Sequence, residues 1–366
     1  MFVRSLKLLN FRNFKKAKFI FGRTNFLIGK NGVGKTNLLE SLLLLSTLKS
    51  HRGARAEELI FKGKDTGRIE VAISNDGERE SLVLGMTKKN GGLKILKING
   101  LKIGTLDFLG TLKTIFFSPE ELLIILGPPS LRRRFLDILL SEIDKHYLSA
   151  LFEYSQALKN RNVLLEKIFN GRAQRDELSF WDEKVAENGS YIIEKRVAAV
   201  KFLNKRLTGF YQKISQDKKE VSLRYQKSLP YFRKEGTRGY QEELERRLER
   251  DIRFGATLSG PHRDDLSILL DDVEAKRRAS RGEVRTIILS LKIAEAAYIK
   301  RETATSPVFI LDDIFSELDE ERARAVFEIF SGAQFFISAT HLPKEVDEKK
   351  GVKIIKLARR ETLRAA

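Results

Sequence analysis

A mixed α/β fold, interrupted by an inserted helical block, is what this sequence predicts, and three observations predict it. At residues 25–45, NFLIGKNGVGKTNLLESLLLL, an apolar strand-like run breaks into a glycine-rich loop and then into an apolar helix. A second apolar run, VFILDD at 308–313, ends in paired carboxylates near the other end of the chain. Between them, from Leu131 onward, the pattern changes to long helical periods.

The loop comes first. Gly29, Gly34, Lys35 and Thr36 stand at the spacing GxxxxGK[ST]. Glycines at 29, 32 and 34 open dihedrals closed to other residues. The run Gly29, Lys30, Asn31, Gly32, Val33, Gly34 can then turn several N–H groups toward one concave point. The positive end of the following helix adds to that anion nest, Lys35 reaches terminal phosphates, and the Thr36 hydroxyl is placed for magnesium. An ordinary glycine-rich turn is the alternative. The strand–loop–helix context favours a nucleotide, with ATP and Mg2+ as the expected ligands.

Composition sets bounds. A chain of 366 residues with 42% hydrophobic content has room for two domains and a packed core. No apolar run reaches the ~18 residues of a membrane span, and MFVRSLKLLN lacks the apolar core of a signal peptide. A cytoplasmic protein with no membrane partner is expected. The absence of cysteine excludes disulfides and thiolate metal sites, and the four histidines are scattered. A formal charge of +19 favours a polyanionic partner if the charges gather on one surface. A basic soluble protein of thermophilic character, with 32% charged residues, is the alternative.

Along the chain, the first section reads as β-rich. FVRSLKLLN, NFLIG, GRIEVAIS, ESLVLGMTK, GLKILKING and LKTIFFS are separated by turn signals such as NDG and NGG, which predicts an antiparallel sheet beside the nucleotide-binding one. Gly127, Pro128 and Pro129 open the helical block. LRRRFLDILLSEIDKHYLSALFEYSQALKNRNVLLEKIF carries one helical period and Glu177 to Ser215 a second, each about 50 Å long if continuous. Gly189 argues against a clean coiled coil. A strand at VSLRY and a helix over Tyr240 to Arg250 follow, and strand signals return after Phe254 in DDLSILL, PVFILDD, QFFISAT and VKIIKL. The expected organisation is therefore a head built from residues 1–126 and 251–366, with an inserted helical arm over 127–250.

The second half of a nucleotide site is legible in the C-terminal section. Val308 to Leu311 read as a buried parallel strand that delivers Asp312 and Asp313 at its carboxyl end. Asp312 would bind magnesium beside Thr36, and Asp313 would orient or deprotonate the attacking water. A surface turn with two solvated aspartates is the alternative. Ser280 and Gly282 precede another apolar helix. By themselves they read first as a helix N-cap and second as another phosphate-binding end, easiest to explain if it closes over a nucleotide held by a second subunit. His341 follows QFFISAT at a strand end, where a solvated structural histidine is the simpler assignment.

Taken together, these residues resemble the ABC-type ATPase heads of DNA-repair and chromosome-maintenance proteins, and among them the RecF family. The resemblance spans nearly the whole chain, through LKLLNFRNF at 6–14, GKNGVGKTN at 29–37, SPEEL at 118–122, GPPSLRRRFLD at 127–137, SGPHRDDL at 259–266 and LDDIFSELD at 311–319. It implies an ABC-type P-loop head with an antiparallel β-subdomain. Gly29 to Thr36 would be Walker A, Asp312 the Walker B carboxylate, Asp313 the catalytic acid, Ser316 to Asp319 the D-loop and His341 the switch histidine. Arg12 matches an arginine that approaches the nucleotide, and Ser118 to Glu121 is a candidate Q-loop. The signature serine and glycine survive as Ser280 and Gly282, but Glu283 brings negative charge where the family has glutamine.

The resemblance further implies an ATP-dependent homodimer that binds DNA, with preference for junctions of single- and double-stranded DNA. It also implies weak ATP hydrolysis, and partnership with the RecR and RecO proteins in handing gaps to recombinase. A transporter ATPase subunit would have its signature nearer the P-loop, without the long helical insertion. A DNA-binding scaffold with a vestigial ATPase differs from a working switch only in turnover. Arg132, Arg133 and Arg134 suggest a DNA contact, although on a helix they spread over about 200 degrees.

Overall fold

The computed structural model describes residues 1–75, 77–89, 94–229, 236–313, 332–342 and 351–358. The N-terminal section forms β1 (Phe2–Phe11), β2 (Phe14–Ile20), β3 (Thr24–Ile28), α1 (Lys35–Thr47), a short α2 (Ala56–Leu59), β4 (Thr66–Asn75), β5 (Glu78–Thr87), β6 (Lys94–Ile98), β7 (Leu101–Lys102), α3 (Thr105–Phe108) and β8 (Thr114–Phe117). Six of these strands make an antiparallel sheet in the order β2-β1-β4-β5-β6-β7. Its alternation is clean: Leu6, Leu8, Ile69, Val71, Ile73, Leu82 and Leu84 are all buried, while their sequence neighbours face the other way. The expected antiparallel sheet is present, with one correction. LKTIFFS does not join it, because all four residues of β8 are buried, as in a strand covered on both faces, and β8 pairs in parallel with a C-terminal strand instead.

Helix α1 is enclosed on nearly every side, with ten of its thirteen residues buried, polar ones among them. Its leucine-rich sides need cover, and α1 packs on β5 of the antiparallel sheet as well as on β8. Each fully buried leucine, such as Leu38, Leu39, Leu42, Leu44 and Leu45, contributes about 1.5–3 kcal/mol of burial. Enclosure also dictates the fate of Glu40, which is 0% exposed and must be paired.

The middle of the chain comprises α4 (Leu123–Leu126), α5 (Pro129–Ile143), α6 (Lys145–Phe169), α7 (Ser179–Ser215), β9 (Val221–Gln226), α8 (Gly236–Arg246), α9 (Leu248–Phe254), β10 (Asp265–Leu270), β11 (Val273–Glu274) and α10 (Ala275–Arg278). The first predicted helical run is broken at Asp144. This residue takes an extended conformation and caps α6 by accepting a hydrogen bond from the Tyr147 N–H at 3.0 Å. Gly189 does not interrupt α7. It is required there because a Cβ would lie 2.7 Å from the Tyr240 ring of α8. Arg161, 0% exposed, bonds Asp182 at 2.5 Å and both Asp251 and Thr257 at 2.8 Å, tying α6 to α7 and α9.

The chain closes with α11 (Arg281–Thr303), β12 (Val308–Leu311), β13 (Phe335–Ala339) and β14 (Val352–Lys356). These strands complete a five-stranded parallel sheet in the order β14-β3-β13-β12-β8. Two compact units emerge: Met1–Leu122 with Gly209–Lys218 and Ser280–Ala366, and Leu123–Thr208 with Lys219–Ala279. Residues 251–279, expected with the head, group here with the helical unit. The cause is local: DDLSILL pairs along its whole length with VSLRY as β10 and β9. Among the described residues no helix is long and apolar enough to cross a membrane.

Candidate nucleotide site

The parallel sheet places β3, β13 and β12 side by side, so whatever follows each strand meets at one carboxyl edge. The loop after β3 carries Gly29 to Gly34. Gly32 and Gly34 have φ of 80° and 111°, left-handed values that favour glycine. Gly34 is doubly constrained, because a Cβ there would lie 2.5 Å from Asn13 Nδ2. Gly29 serves for a different reason from the one its motif suggests. Its φ is ordinary, but a Cβ would lie 2.6 Å from the Leu357 carbonyl oxygen. Lys30, Asn31 and Gly32 form the exposed crest, while Val33 is buried and anchors the loop.

Lys35 Nζ donates to the carbonyls of Gly29 at 2.6 Å and Lys30 at 3.2 Å, which holds the amine inside the curve of the loop. Burial lowers its pKa from the ordinary lysine value, and the charges of Asp313 and Asp312 oppose that shift. Thr36 Oγ1 lies 3.2 Å from Asp312 Oδ1. The same carboxylate oxygen accepts from Ser338 Oγ at 2.6 Å, and Ser338 Oγ in turn accepts the Asp313 N–H at 2.8 Å. Ser338, on β13 between the two strands that carry the motifs, therefore fixes both aspartates. Asp312 is buried, whereas Asp313 is exposed at a left-handed φ of 53°. A hydroxyl and a carboxylate in contact are hard oxygen donors, and they suit Mg2+ that takes its other ligands from water and phosphate.

His341 lies two residues beyond β13, at the same edge of the sheet, with Nδ1 3.2 Å from Thr340 Oγ1. Ser118 follows β8, and the Phe117 carbonyl accepts the Asp312 N–H at 2.8 Å. The expected D-loop, Ser316 to Asp319, lies outside the described residues.

Arg12 directly follows β1, at a left-handed φ of 51°. Its guanidinium makes a two-pronged bond to buried Glu40 at 2.8 and 2.9 Å, the partner an enclosed carboxylate needs. Its neighbour Asn13, in the same block 6–14, shapes the loop directly. Asn13 Nδ2 donates to the Val33 carbonyl at 3.0 Å, and Asn13 Oδ1 accepts from Asn37 at 2.8 Å. Ser338 is nearly silent in the sequence; its one signal is a hydroxyl near the end of an otherwise apolar strand.

Ser280 caps α11, its hydroxyl accepting the Glu283 N–H at 3.3 Å while Glu283 Oε2 accepts the Ser280 N–H at 2.6 Å. This reciprocal capping box explains the glutamate in the signature: its carboxylate turns back on the helix end. Ser280 is exposed and Gly282 is half-buried. Arg132 and Arg133 are engaged inside the second unit, Arg132 with Asp265 at 2.7 and 2.9 Å and Arg133 with the Asp264 carbonyl at 2.9 Å. Arg134 is exposed.

Further along α11, buried Lys292 bonds Glu121, just after β8, at 2.6 Å and Glu295 at 3.1 Å. Burial pushes the Glu295 carboxyl up to about 7, against the opposing charge of Lys292. From the ordinary value of 4.5 up to about that pH, the unfolded chain releases this proton while the folded one keeps it. Glu295 thus makes stability fall as pH rises through that window. The variant Glu295→Gln should flatten this fall, checked by urea midpoints at pH 5 and pH 7.5; an unchanged difference between the two would contradict it.

Comparison with known proteins gives the family and the fold. The RecF/RecN/SMC N terminal domain family matches residues 2–362. "DNA replication and repair protein RecF" of Lachnoclostridium phytofermentans is 35% identical over 351 residues, covering 95% of each chain. The protein of that name from Thermoanaerobacter sp. (strain X514) is 37% identical over 344 residues, covering 93% of this chain and 94% of its own. A solved structure described as "the recombination mediator protein RecF-ATPrS in RecFOR pathway" superposes with a TM-score of 0.89 at 33% identity, covering 98% of this chain and 96% of that one. An Smc head domain from Pyrococcus furiosus, at 17% identity and a TM-score of 0.56 over 99% of this chain and 94% of its own, shares the fold.

Proposed function

Because this chain belongs to the RecF family, we propose that it is an ATP-dependent DNA-binding recombination mediator, cytoplasmic and associated with the nucleoid. It dimerises on ATP, binds duplex, gapped or junction DNA, and helps load recombinase at single-stranded gaps together with RecR and RecO. The observation that supports this best is the contact of Thr36 with Asp312 at 3.2 Å, steadied by Ser338. It joins the glycine-loop half and the carboxylate half of a nucleotide site within one unit.

In this mechanism the loop N–H groups and Lys35 hold the β- and γ-phosphates. Thr36 and Asp312 would hold magnesium, which neutralises phosphate charge when bound. Asp313, exposed beside them, orients the attacking water, with His341 at the same sheet edge toward the γ-phosphate. Exposed Ser280 and the Gly282 N–H close over the nucleotide of a second copy. ATP thus acts as an adhesive between two incomplete sites, and slow hydrolysis opens the dimer.

Sedimentation with and without ATP tests this. Wild type should shift from monomer to dimer on adding ATP; a monomer under both conditions rejects the proposal. Ser280→Ala should keep monomer affinity for ATP and weaken dimerisation by about 10- to 100-fold, the loss of a hydrogen bond to a charged group. The lost cap should cost about 1 kcal/mol of stability. A collapse of monomer affinity instead would show that Ser280 acts on its own chain's nucleotide.

A further inference from the structure

One face of the six-stranded antiparallel sheet packs on the core, and the other carries its charges in an arrangement that sheet energetics disfavour. Register places Lys18 of β2 directly opposite Lys7 of β1, and Lys97 of β6 directly opposite Lys102 of β7. Opposite charges at such positions stabilise a sheet, and like charges directly opposed destabilise it. A face serving only solubility would set lysine against glutamate or threonine. Here two like-charged pairs stand in one row, Lys18–Lys7–Glu70–Val83–Lys97–Lys102, which crosses all six strands.

The next row adds Lys16, Leu9 and Arg68. Glu70 is the one carboxylate in these two rows, and it is bonded by both Lys7 at 2.7 Å and Arg68 at 2.8 Å. Among the described residues Lys16, Lys18, Lys97 and Lys102 have no ion-pair partner. The first row spans five strand spacings, about 24 Å. Over that length a duplex presents roughly fourteen phosphate charges, one per about 1.7 Å of axis.

Resting on DNA as the proposed partner, we infer that this outer sheet face is a contact surface for the phosphate backbone of duplex DNA. The amines are point charges on flexible stems, suited to phosphate and not to two-pronged recognition of base edges. The face therefore positions the duplex without reading its sequence. Bound phosphates relieve the Lys7–Lys18 and Lys97–Lys102 repulsion, so the strain that the free sheet tolerates becomes part of the affinity for DNA.

The experiment uses the full chain, ATP and a labelled 30-base-pair duplex, with anisotropy titrations over a salt series. It compares wild type, Lys18→Gln/Lys97→Gln/Lys102→Gln, and a charge-matched control in the second unit, Lys159→Gln/Lys201→Gln/Lys205→Gln. The sheet variant should lower the slope of log K against log salt by about 2 to 3, since each phosphate no longer neutralised takes about 0.9 from it. The control should leave that slope within about 1 of the wild-type value. Melting temperature of the sheet variant should be equal to or above wild type, since like-charge pairs are removed, which separates impaired binding from impaired folding. A wild-type slope in the sheet variant, or an equal fall in the control, overturns the inference while leaving DNA binding intact. Wild type that binds no duplex with ATP overturns the proposed function itself. Binding of the sheet variant that falls without a change in slope also refutes it, because no phosphate contact has then been lost.

Discussion

Replacing Lys35 with alanine is expected to lower ATP affinity by about 10- to 100-fold and to abolish the ATP-dependent dimer. That range is the worth of hydrogen bonds to a charged group, about 1.5–3 kcal/mol. The amine sits at 2.6 and 3.2 Å from two carbonyls of the loop, inside the curve where phosphates would lie. It also feels the charges of Asp313 and Asp312. Without it those two carboxylates face the phosphates with no lysine between. Titration calorimetry with ATP, followed by sedimentation, measures both effects; wild-type affinity in the variant would remove the loop from the account. Lys35→Arg should not restore binding, because a planar guanidinium cannot take the place of a compact ammonium held by two converging carbonyls.

Arg161→Ala should be the most destabilising single substitution in the helical unit, costing about 3–5 kcal/mol, the usual effect of removing one partner of a buried ion pair. Arg161 is 0% exposed, and its partner Asp251 is nearly as buried. Deleting the guanidinium leaves that carboxylate charged without a counterion and releases Thr257. Urea unfolding of Arg161→Ala, of Asp251→Asn and of the double variant closes a cycle. The double variant should be more stable than the sum of the single losses predicts, by on the order of 1–3 kcal/mol. Simple additivity would mean that the pair is not coupled.

Much of the head is legible in the sequence because its signals are local. β12 announces itself by four consecutive apolar residues, and β3, β8 and β13 by three each. The glycine loop and the two aspartates stand directly after such strands, so sequence order alone brings them to one sheet edge. Pairing at long range is what the sequence hides. β8 looks like one more strand of the antiparallel series, and only its complete burial and its parallel register with β12 reassign it. Asn13 and Ser338 are ordinary polar residues in strand or turn context until folding brings them against Gly34 and Asp312. The pairing of Arg12 with the enclosed Glu40 of α1 is likewise hidden, because nothing in the sequence places residue 12 beside residue 40.

The block SGPHRDDL illustrates the converse. Its residues carry much of the family resemblance, yet within the second unit they act as a structural hub. His262 Nδ1 meets the Tyr154 hydroxyl at 2.7 Å, and Asp264 accepts from both Tyr225 and Ser228. Gly260, at a φ of 133°, has no room for a Cβ against Tyr240 and Tyr154.

The claim that two copies complete each other's site is tested most directly by cross-linking, which the absence of cysteine makes clean. Chains carrying Arg281→Cys, at the exposed residue beside Ser280, and chains carrying Asn31→Cys, differing in tag size, are mixed and treated with a short bifunctional thiol reagent. With a non-hydrolysable ATP analogue, a product joining position 281 of one chain to position 31 of the other should form, and it should vanish without nucleotide or in a Lys35→Ala background. Absence of that product, or its formation regardless of nucleotide, would contradict the account.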